Sequence, residues 1–210
     1  MKYSKSVDKA IDYLVSGKPI IIRDRDDREG EGDLAFSGKY ATPALVNFAL
    51  TFAKGFLCVS LPSEFAEKFE ITRLRSNNKD VHDTPFGCPV SLANGSSGIS
   101  AEDRSETIQA LSDIDSTPEL FCTPGHIPTL LAKPGGLKVR DGHTEAIVDL
   151  LDLAGIGGAG VICEILNSAG SIARKSELES ISRNLDIPIV SIVDITKAVL
   201  LEDEELQVGT

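Results

Sequence analysis

Short apolar runs alternate with segments of helical spacing along most of the chain, and this alternation limits the fold more than any other feature. Val7, Ala10, Ile11 and Leu14 recur at the spacing of one helix face, and three consecutive isoleucines follow at residues 20–22. A continuous apolar run of this kind is typical of a buried strand. The pattern predicts an α+β (mixed α/β) fold, a single domain with a central mixed sheet flanked by helices.

Capping residues and helix breakers predict the other element boundaries. A helix begins at Thr42 and Pro43 and ends before Gly55, and capping boxes at Ser100 and Ser176 predict two more helix starts. A further helix is predicted from Thr144 to near residue 155. The predicted strands cover residues 34–36, 56–61, 160–166 and 187–193, and residues 84–92 can pair locally. The last ten residues, 201–210, include four consecutive acids and are predicted to form a solvated acidic tail.

Length and charge limit the domain count and the partners. A chain of 210 residues with 41% hydrophobic and 25% charged residues fits one domain over residues 1–210, and we expect no second domain. The net charge of −11 excludes a broad nucleic-acid surface but not one small anion site. No apolar run approaches the ~20 residues that span a bilayer, so no membrane partner is expected.

The cysteines and the N-terminus indicate a cytoplasmic protein. Residues 1–5 lead into an amphipathic pattern rather than an apolar signal segment. The four cysteines are widely separated and include no CxxC pair, which excludes thiolate zinc spacing and favours a reducing compartment. We interpret all four as buried packing residues: Cys58, Cys88, Cys122 and Cys163.

Residues 23–33 form an acidic loop between two apolar strands. Six acids and three arginines stand among its eleven residues. A hydrated, salt-bridged surface loop is one interpretation. The other is a divalent-metal site, because converging carboxylates repel one another unless a cation or proton joins them. Gly30 and Gly32 favour the second interpretation, since glycine lets the backbone approach a ligand closely.

His143 stands at the start of the helix predicted from Thr144. The first turn of a helix offers free N–H groups and a positive dipole end, which suits phosphate. Arg140 and the Thr144 hydroxyl would add donors, and arginine can bind phosphate through two nitrogens. The alternative is that Thr144 is an ordinary cap and Arg140 a surface charge.

Two further residues are candidates for proton transfer. His126 lies in a predicted loop among proline and glycine residues and suits a mobile acid or base, although a lone loop histidine is often structural. Glu164 interrupts an apolar run, residues 161–166, where a carboxylate must be paired or protonated. It either forms an ion pair with a core arginine or serves acid–base chemistry near neutral pH. For His82 the sequence does not decide between a structural role and proton transfer.

Taken in order, these segments resemble the 3,4-dihydroxy-2-butanone 4-phosphate synthases of riboflavin biosynthesis. The similarity runs from about residue 16 to residue 194, and its motifs occur in register. The matching segments are residues 27–29, 31–34, 76–78 with Asp80 and His82, 98–101, 103–104 with Thr107, 124–127, 142–146, 148–150 and 160–165.

The resemblance implies a lyase that converts D-ribulose 5-phosphate to formate and L-3,4-dihydroxybutan-2-one 4-phosphate. It implies Mg²⁺, with two ions per site and Mn²⁺ as an alternative, and a homodimer whose sites lie near the subunit interface. Glu29 and His143 would bind the metal, and His126 and Glu164 would be needed for activity. The substrate-binding set it implies is Arg28, Glu29, Asp33, Arg140, Asp141, Gly142, His143, Thr144, Glu145 and Glu164.

The residue types suit such a reaction. Removal of the C3 proton of a ketose gives an enediolate, which needs a base and a positive charge near the oxyanion. Asp33 or Glu31 is predicted near the first proton transfer, with Glu164 in a later acid–base step and His126 placing substrate or shuttling protons. From His143 alone we would predict manganese or zinc, because imidazole is an unusual ligand for the hard Mg²⁺ ion.

Two positions depart from the family pattern, and two rival functions stay open. Gly30 stands where a larger polar residue is common, and Gly87 replaces an expected threonine. These changes affect loop order and rate rather than the proposed ligands. The rivals are a metal-dependent aldolase or isomerase for another phosphorylated sugar, and a small-anion-binding regulatory domain without catalysis.

Overall fold

The computed structural model describes residues 2–74 and 83–208, with side chains of the last helix described as far as Glu205. Within this part of the chain, seven strands form one mixed sheet in the order β4-β5-β3-β6-β2-β1-β7. The strands are β1 (Ile20–Arg23), β2 (Gly32–Ser37), β3 (Cys58–Leu61), β4 (Phe86–Leu92), β5 (Phe121–Leu131), β6 (Gly160–Glu164) and β7 (Ile189–Ser191). This confirms the predicted mixed sheet.

Helices cover both faces of the sheet. They are α1 (Lys5–Val15), α2 (Pro43–Phe52), α3 (Ser63–Lys68), α4 (Ala101–Leu111), α5 (His143–Leu153), α6 (Lys175–Leu185) and α7 (Ile192–Val208). Apolar residues of α1, α5 and α7 pack on one face, and those of α2, α3, α4 and α6 pack on the other. Because both faces are covered, the central strands are apolar on both sides, as the isoleucine run of β1 predicts.

Several predicted caps are present in the structure. Thr42 accepts a hydrogen bond from the Leu45 N–H, and Ser100 and Asp103 form a reciprocal capping box. The box predicted at Ser176 is wrong, because α6 begins at Lys175 with Arg174 as its N-cap. Glu177 still closes that turn by accepting the Arg174 N–H at 2.9 Å.

The prediction for the C-terminal segment is also wrong. The predicted final strand is only three residues long, and α7 follows it at once and continues through the acids that we interpreted as a tail. Glu202 pairs with Lys2, and Asp203 lies 2.7 Å from Lys138. The helical spacing of Ile192, Ile195 and Ala198, all buried, was hidden by their β-branched neighbours.

Other predictions have mixed outcomes. Cys58 and Cys163 are buried as predicted, but Cys88 is half-buried and Cys122 is exposed. No helix in the described ranges is long and apolar enough to cross a membrane. The motif at residues 76–78, with Asp80 and His82, lies outside the described residues.

Candidate active site

A cavity of about 310 Å³ opens at the start of β2 and the end of β6, on the face of the sheet that α5 covers. The first turn of α5 and the acidic loop between β1 and β2 form adjacent parts of its wall. Its lining residues are Arg28, Glu29, Glu31, Asp33, Phe56, Cys58, Thr84, Phe86, Leu130, Arg140, His143, Thr144, Ile162 and Glu164.

The acidic loop is organised around the buried carboxylate of Asp24. Arg23 pairs with Gly32 at the base of the hairpin, and Asp24 is only 3% exposed. The Asp24 carboxylate accepts hydrogen bonds from the N–H groups of Glu29 at 3.2 Å and Glu31 at 3.1 Å. It also accepts one from Arg28 Nη1 at 3.0 Å. A single side chain therefore orients the residues that the loop contributes to the cavity.

Two residues of the wall, Glu29 and His143, converge with the buried Asp24 behind them as a divalent-metal site would require. Asp24, Glu29 and His143 each offer a ligand atom, and these atoms lie within 4.8 Å of one another. His143 Nε2 and Asp33 Oδ1 are buried 3.9 Å apart, and neither has a hydrogen-bond partner among the described residues. Buried polar atoms normally have partners, so this pair suits a bound cation that lies between carboxylate and imidazole ligands.

The direction of the His143 pKa shift agrees with a metal-binding role for its imidazole. Burial lowers the pKa of His143, although Asp24 and Glu29 oppose this effect. The neutral imidazole is therefore favoured, and this is the form that binds a metal ion.

A second group of carboxylates lies beside the first. Asp33 of β2 and Glu164 of β6 are direct partners in the antiparallel register. Burial raises the pKa of Asp33 well above its ordinary value, and the nearby Glu164 and Glu31 add to the effect. Burial and the charge of Glu29 likewise raise the pKa of Glu31. The site therefore holds carboxyl groups of unequal acidity within one cavity, which suits acid–base chemistry.

Glu164 makes a different contact from the ion pair that the sequence left open. Its Oε2 accepts the Phe56 N–H at 2.7 Å, and no arginine pairs with it among the described residues. Gly55 lies against this strand so closely that an added Cβ would be 2.3 Å from the Glu164 carbonyl oxygen. The segment at residues 55–56 therefore holds the carboxylate at the cavity wall.

The start of α5 supplies the cationic side of the cavity. Gly142 is the N-cap, and an added Cβ there would lie 2.0 Å from Arg140 Nη1. Arg140 Nη1 donates to Glu145 Oε2 at 2.6 Å, and Glu145 Oε1 accepts the Lys133 N–H at 3.1 Å. Arg140 thus lies beside a helix N-terminus, an arrangement that favours a phosphate group.

Eight of the predicted site residues line the cavity: Arg28, Glu29, Glu31, Asp33, Arg140, His143, Thr144 and Glu164. Four do not. Glu145 is completely buried and accepts a hydrogen bond from Arg140, so the structure places it as a support for Arg140, and its predicted substrate contact stays a prediction. Asp141 is exposed and lies 3.5 Å from Arg25, and Gly142 is buried as the helix cap. His126 is exposed and belongs to β5 rather than to the predicted loop.

Asp24 and the apolar part of the wall were missed. Asp24 was not among the predicted site residues, although its position directly after a buried strand was a signal of burial. Cys58 and Ile162 are cross-strand partners that face the cavity together with Leu130. Sequence patterns gave no signal for these residues, because the same alternation also describes an ordinary core strand.

The fold and the cavity define an α/β protein with a carboxylate–imidazole cluster beside a helix N-terminus, a ligand set that suits a divalent cation. The profile of the 3,4-dihydroxy-2-butanone 4-phosphate synthase family matches residues 8–198, and the chain belongs to this family.

Similar proteins and solved structures agree with this family assignment. The riboflavin biosynthesis protein RibBA of Bacillus subtilis is 42% identical over 90% of this chain and 48% of its own length. The 3,4-dihydroxy-2-butanone 4-phosphate synthase of Campylobacter jejuni is 40% identical over 90% of this chain and 56% of its own. A solved synthase in complex with two magnesium ions is 27% identical with a TM-score of 0.86, covering 91% of this chain and 95% of that one. The chain spans about half the length of the curated relatives it matches.

Proposed function

We propose that this chain is a lyase that converts D-ribulose 5-phosphate to formate and L-3,4-dihydroxybutan-2-one 4-phosphate in riboflavin biosynthesis. One observation carries the proposal. The Glu29–His143 pair, the Asp33–Glu164 pair and the start of α5 all face one cavity of about 310 Å³. A volume of this order suits a ligand of sugar-phosphate size.

Magnesium is the proposed cofactor, with two ions per site and manganese as the alternative. Glu29 and His143 would hold the metal, and their convergence with Asp24 and the orphaned His143 Nε2 fit this role. A bound divalent cation would supply positive charge beside the substrate oxygens. The three hydrogen bonds that Asp24 accepts indicate that it organises the loop rather than serving as the main ligand.

The carboxylates would move the protons of the reaction. Asp33 or Glu31, whose pKa values are raised, would act near the first transfer, when the C3 proton leaves the ketose and an enediolate forms. Glu164 would act in the later acid–base steps. The C1 hydroxyl leaves as water, C5 with its phosphate migrates to C3, and water attack releases C4 as formate. The water lost is regained, so the reaction needs no co-substrate.

The cationic wall would bind the substrate. The N–H groups at the start of α5, with Arg140 and the Thr144 hydroxyl, would receive the phosphate. Arg28 lines the same cavity from the acidic loop, where its pairing with Asp24 and Glu29 holds the guanidinium in place. Glu145 would keep Arg140 aimed at the cavity.

A homodimer in the cytoplasm completes the proposal. His126 is exposed and outside the cavity of its own chain, yet the family resemblance assigns it to the activity. Phe56 at the cavity wall is 55% exposed, and Val139, next to Arg140, is 65% exposed. Exposed apolar residues around a site favour a covering partner. We therefore place His126 at the cavity of a second copy of the chain.

Formate release separates this function from its rivals. An aldolase or isomerase for another sugar phosphate would share the enediolate but release no formate, and a binding domain would turn over nothing. Purified protein with ribulose 5-phosphate and Mg²⁺ should produce formate and the four-carbon ketone phosphate in equal amounts. Absence of formate with Mg²⁺, Mn²⁺ and Zn²⁺ alike would contradict the proposal.

A further inference from the structure

The acidic loop is held from outside by an arginine that the catalytic proposal does not use. Arg174, the N-cap residue of α6, donates from Nη1 to the carbonyl oxygen of Glu29 at 2.8 Å and to that of Gly30 at 3.1 Å. These are the backbone carbonyls of the proposed metal ligand and of the residue after it. The Arg174 guanidinium therefore contacts the loop at the residue that carries the proposed metal-binding carboxylate.

The backbone that carries Arg174 is well anchored. The Arg174 N–H donates to Glu177 Oε2 at 2.9 Å, and the Ala173 N–H donates to the Ile165 carbonyl at 2.9 Å. Ile165 in turn donates to Gly32, at the end of the loop, also at 2.9 Å. Because α6 and the sheet hold both ends of this connection, the arginine can restrain the loop rather than follow it.

The loop needs such a restraint most when no metal is bound. Asp24, Glu29 and Glu31 lie close together, since the Asp24 carboxylate accepts the N–H groups of both glutamates. Converging carboxylates repel one another, and the Arg28 guanidinium, which pairs with Asp24 and Glu29, supplies only one positive charge against three negative ones. The Arg174 guanidinium, which binds the carbonyl oxygens of Glu29 and Gly30, offsets part of this repulsion. It also restrains the loop backbone at Glu29.

Gly30 makes room for the arginine. Its φ of +63° lies in the left-handed region, where glycine is favoured. An added Cβ would lie 2.9 Å from Arg174 Nη1. Gly30, which replaces the larger residue common in the family, therefore leaves the space that the Arg174 guanidinium occupies. We expect the effects of substituting these two residues to be coupled.

We infer that Arg174 is a positioning residue that holds residues 29–30, and with them the Glu29 carboxylate, in the metal-binding arrangement before the metal arrives. The inference rests on the proposed metal site. It predicts that Arg174 contributes to metal affinity and to loop order in the metal-free protein, without contacting substrate.

The primary test compares Arg174→Gln with Arg183→Gln, which removes an equal charge from the far end of the same helix. Two measurements need no turnover: hydrogen exchange of the loop amides in the metal-free protein, and Mn²⁺ binding followed by electron paramagnetic resonance. Arg174→Gln should speed exchange at Glu29 and Glu31 and weaken Mn²⁺ binding about tenfold, as loss of a supporting contact to a ligand does. Arg183→Gln should change neither.

A double-mutant cycle tests the pairing with Gly30. Gly30→Ala should weaken Mn²⁺ binding in the parent protein through both the clash with Arg174 and the left-handed backbone. In the Arg174→Gln background only the backbone effect remains, so the loss caused by Gly30→Ala should be smaller. Arg174→Lys, which keeps the charge but has a single donor group, should fall between the parent and Arg174→Gln. This graded order holds even if Arg174→Gln lowers the overall stability.

The outcomes separate this inference from the proposed reaction. If formate is produced but Arg174→Gln matches Arg183→Gln in exchange and Mn²⁺ affinity, the positioning role is overturned. Additive effects in the cycle would overturn the pairing with Gly30. If no formate is produced while exchange and Mn²⁺ affinity respond as expected, the positioning role stands and the proposed reaction fails.

Discussion

Asp33 and Glu164 are direct partners across the antiparallel pair of β2 and β6, so two carboxylates share one short stretch of the sheet. Asp33 is 3% exposed, and burial together with Glu164 raises its pKa well above the ordinary value. A buried carboxylate beside the half-buried carboxylate of Glu164 destabilises a fold unless a proton or a metal ion relieves the repulsion. Their retention at a cavity wall therefore favours a role in chemistry rather than in stability.

The first prediction is that Asp33→Asn stabilises the metal-free protein while abolishing turnover. The folded protein keeps the Asp33 proton to a higher pH than the unfolded chain, whose pKa is near 3.8. Stability is therefore lost as pH rises from about 4 through the raised folded pKa. The asparagine side chain does not ionise, so the variant keeps the stability that the parent protein loses. At pH 8 the Tm of Asp33→Asn should therefore exceed that of the parent protein by about 3–6 °C.

The pH dependence supplies the control. The gain from Asp33→Asn should shrink towards zero near pH 4, where the parent carboxyl is protonated in both states. Asp12→Asn, at an exposed position on α1, should give no such trend. The His143 contribution is opposite in sign, since a lowered pKa makes stability rise with pH up to about 6.5. A lower Tm for Asp33→Asn at pH 8 would contradict the assignment.

The second prediction concerns the centre of the acidic loop. Asp24→Asn should loosen the loop and weaken Mn²⁺ binding, because an amide cannot accept all three hydrogen bonds without turning its NH₂ group towards a donor. Loss of the charged acceptor should cost about 1–3 kcal/mol of loop stability. Hydrogen exchange at Glu29 and Glu31 measures this directly. Asp26→Asn, in the same loop but 71% exposed at its side chain, is the matched control and should leave exchange unchanged.

The sequence predicted the architecture better than it predicted details at the ends of elements. The isoleucine run of β1 and the cap at Thr42 predict structure because their signals are local. The start of α7 was missed because β-branched residues at positions 192–195 favour a strand, whereas packing against α5 makes that segment helical. The acids at positions 202–205 then belong to the helix rather than to a tail.

The candidate site was predicted in part for a similar reason. His143 and Glu29 could be named from motifs, but the place of Glu145 behind Arg140 is a tertiary relationship that no spacing reveals. Gly87 illustrates the same limit. An added Cβ there would lie 2.5 Å from Thr129 Oγ1, so a residue distant in sequence fills the space of the expected threonine.

The third prediction tests Glu145 as the support of Arg140. Glu145→Gln keeps an oxygen for the Lys133 N–H but replaces the charged acceptor of Arg140 by an amide. Arg140 should then hold the substrate phosphate less well, raising KM about tenfold with a smaller change in kcat. Steady-state kinetics with a melting curve for each protein measure both effects. An unchanged KM would show that Arg140 does not depend on Glu145.

The fourth prediction tests whether His126 acts in the cavity of a second copy. His126→Ala and Glu29→Gln should each be inactive as pure proteins. Mixed dimers contain one cavity with both native residues, so random mixing should restore about a quarter of the parent activity. Recovery should require subunit exchange, and chemical cross-linking of each dimer before mixing should prevent it. If mixing restores nothing after exchange is demonstrated, His126 does not act across the interface.

The central claim is that Glu29 holds a metal ion in a cavity that releases formate from ribulose 5-phosphate. Formate should appear with Mg²⁺ in the parent protein and be lost on chelation. Glu29→Gln should abolish it with the melting curve unchanged, because the side chain belongs to a loop rather than to the core. Asp27→Asn, an exposed acid in the same loop, should keep it. Full formate release by Glu29→Gln, or none by the parent protein with any divalent metal, would contradict the account.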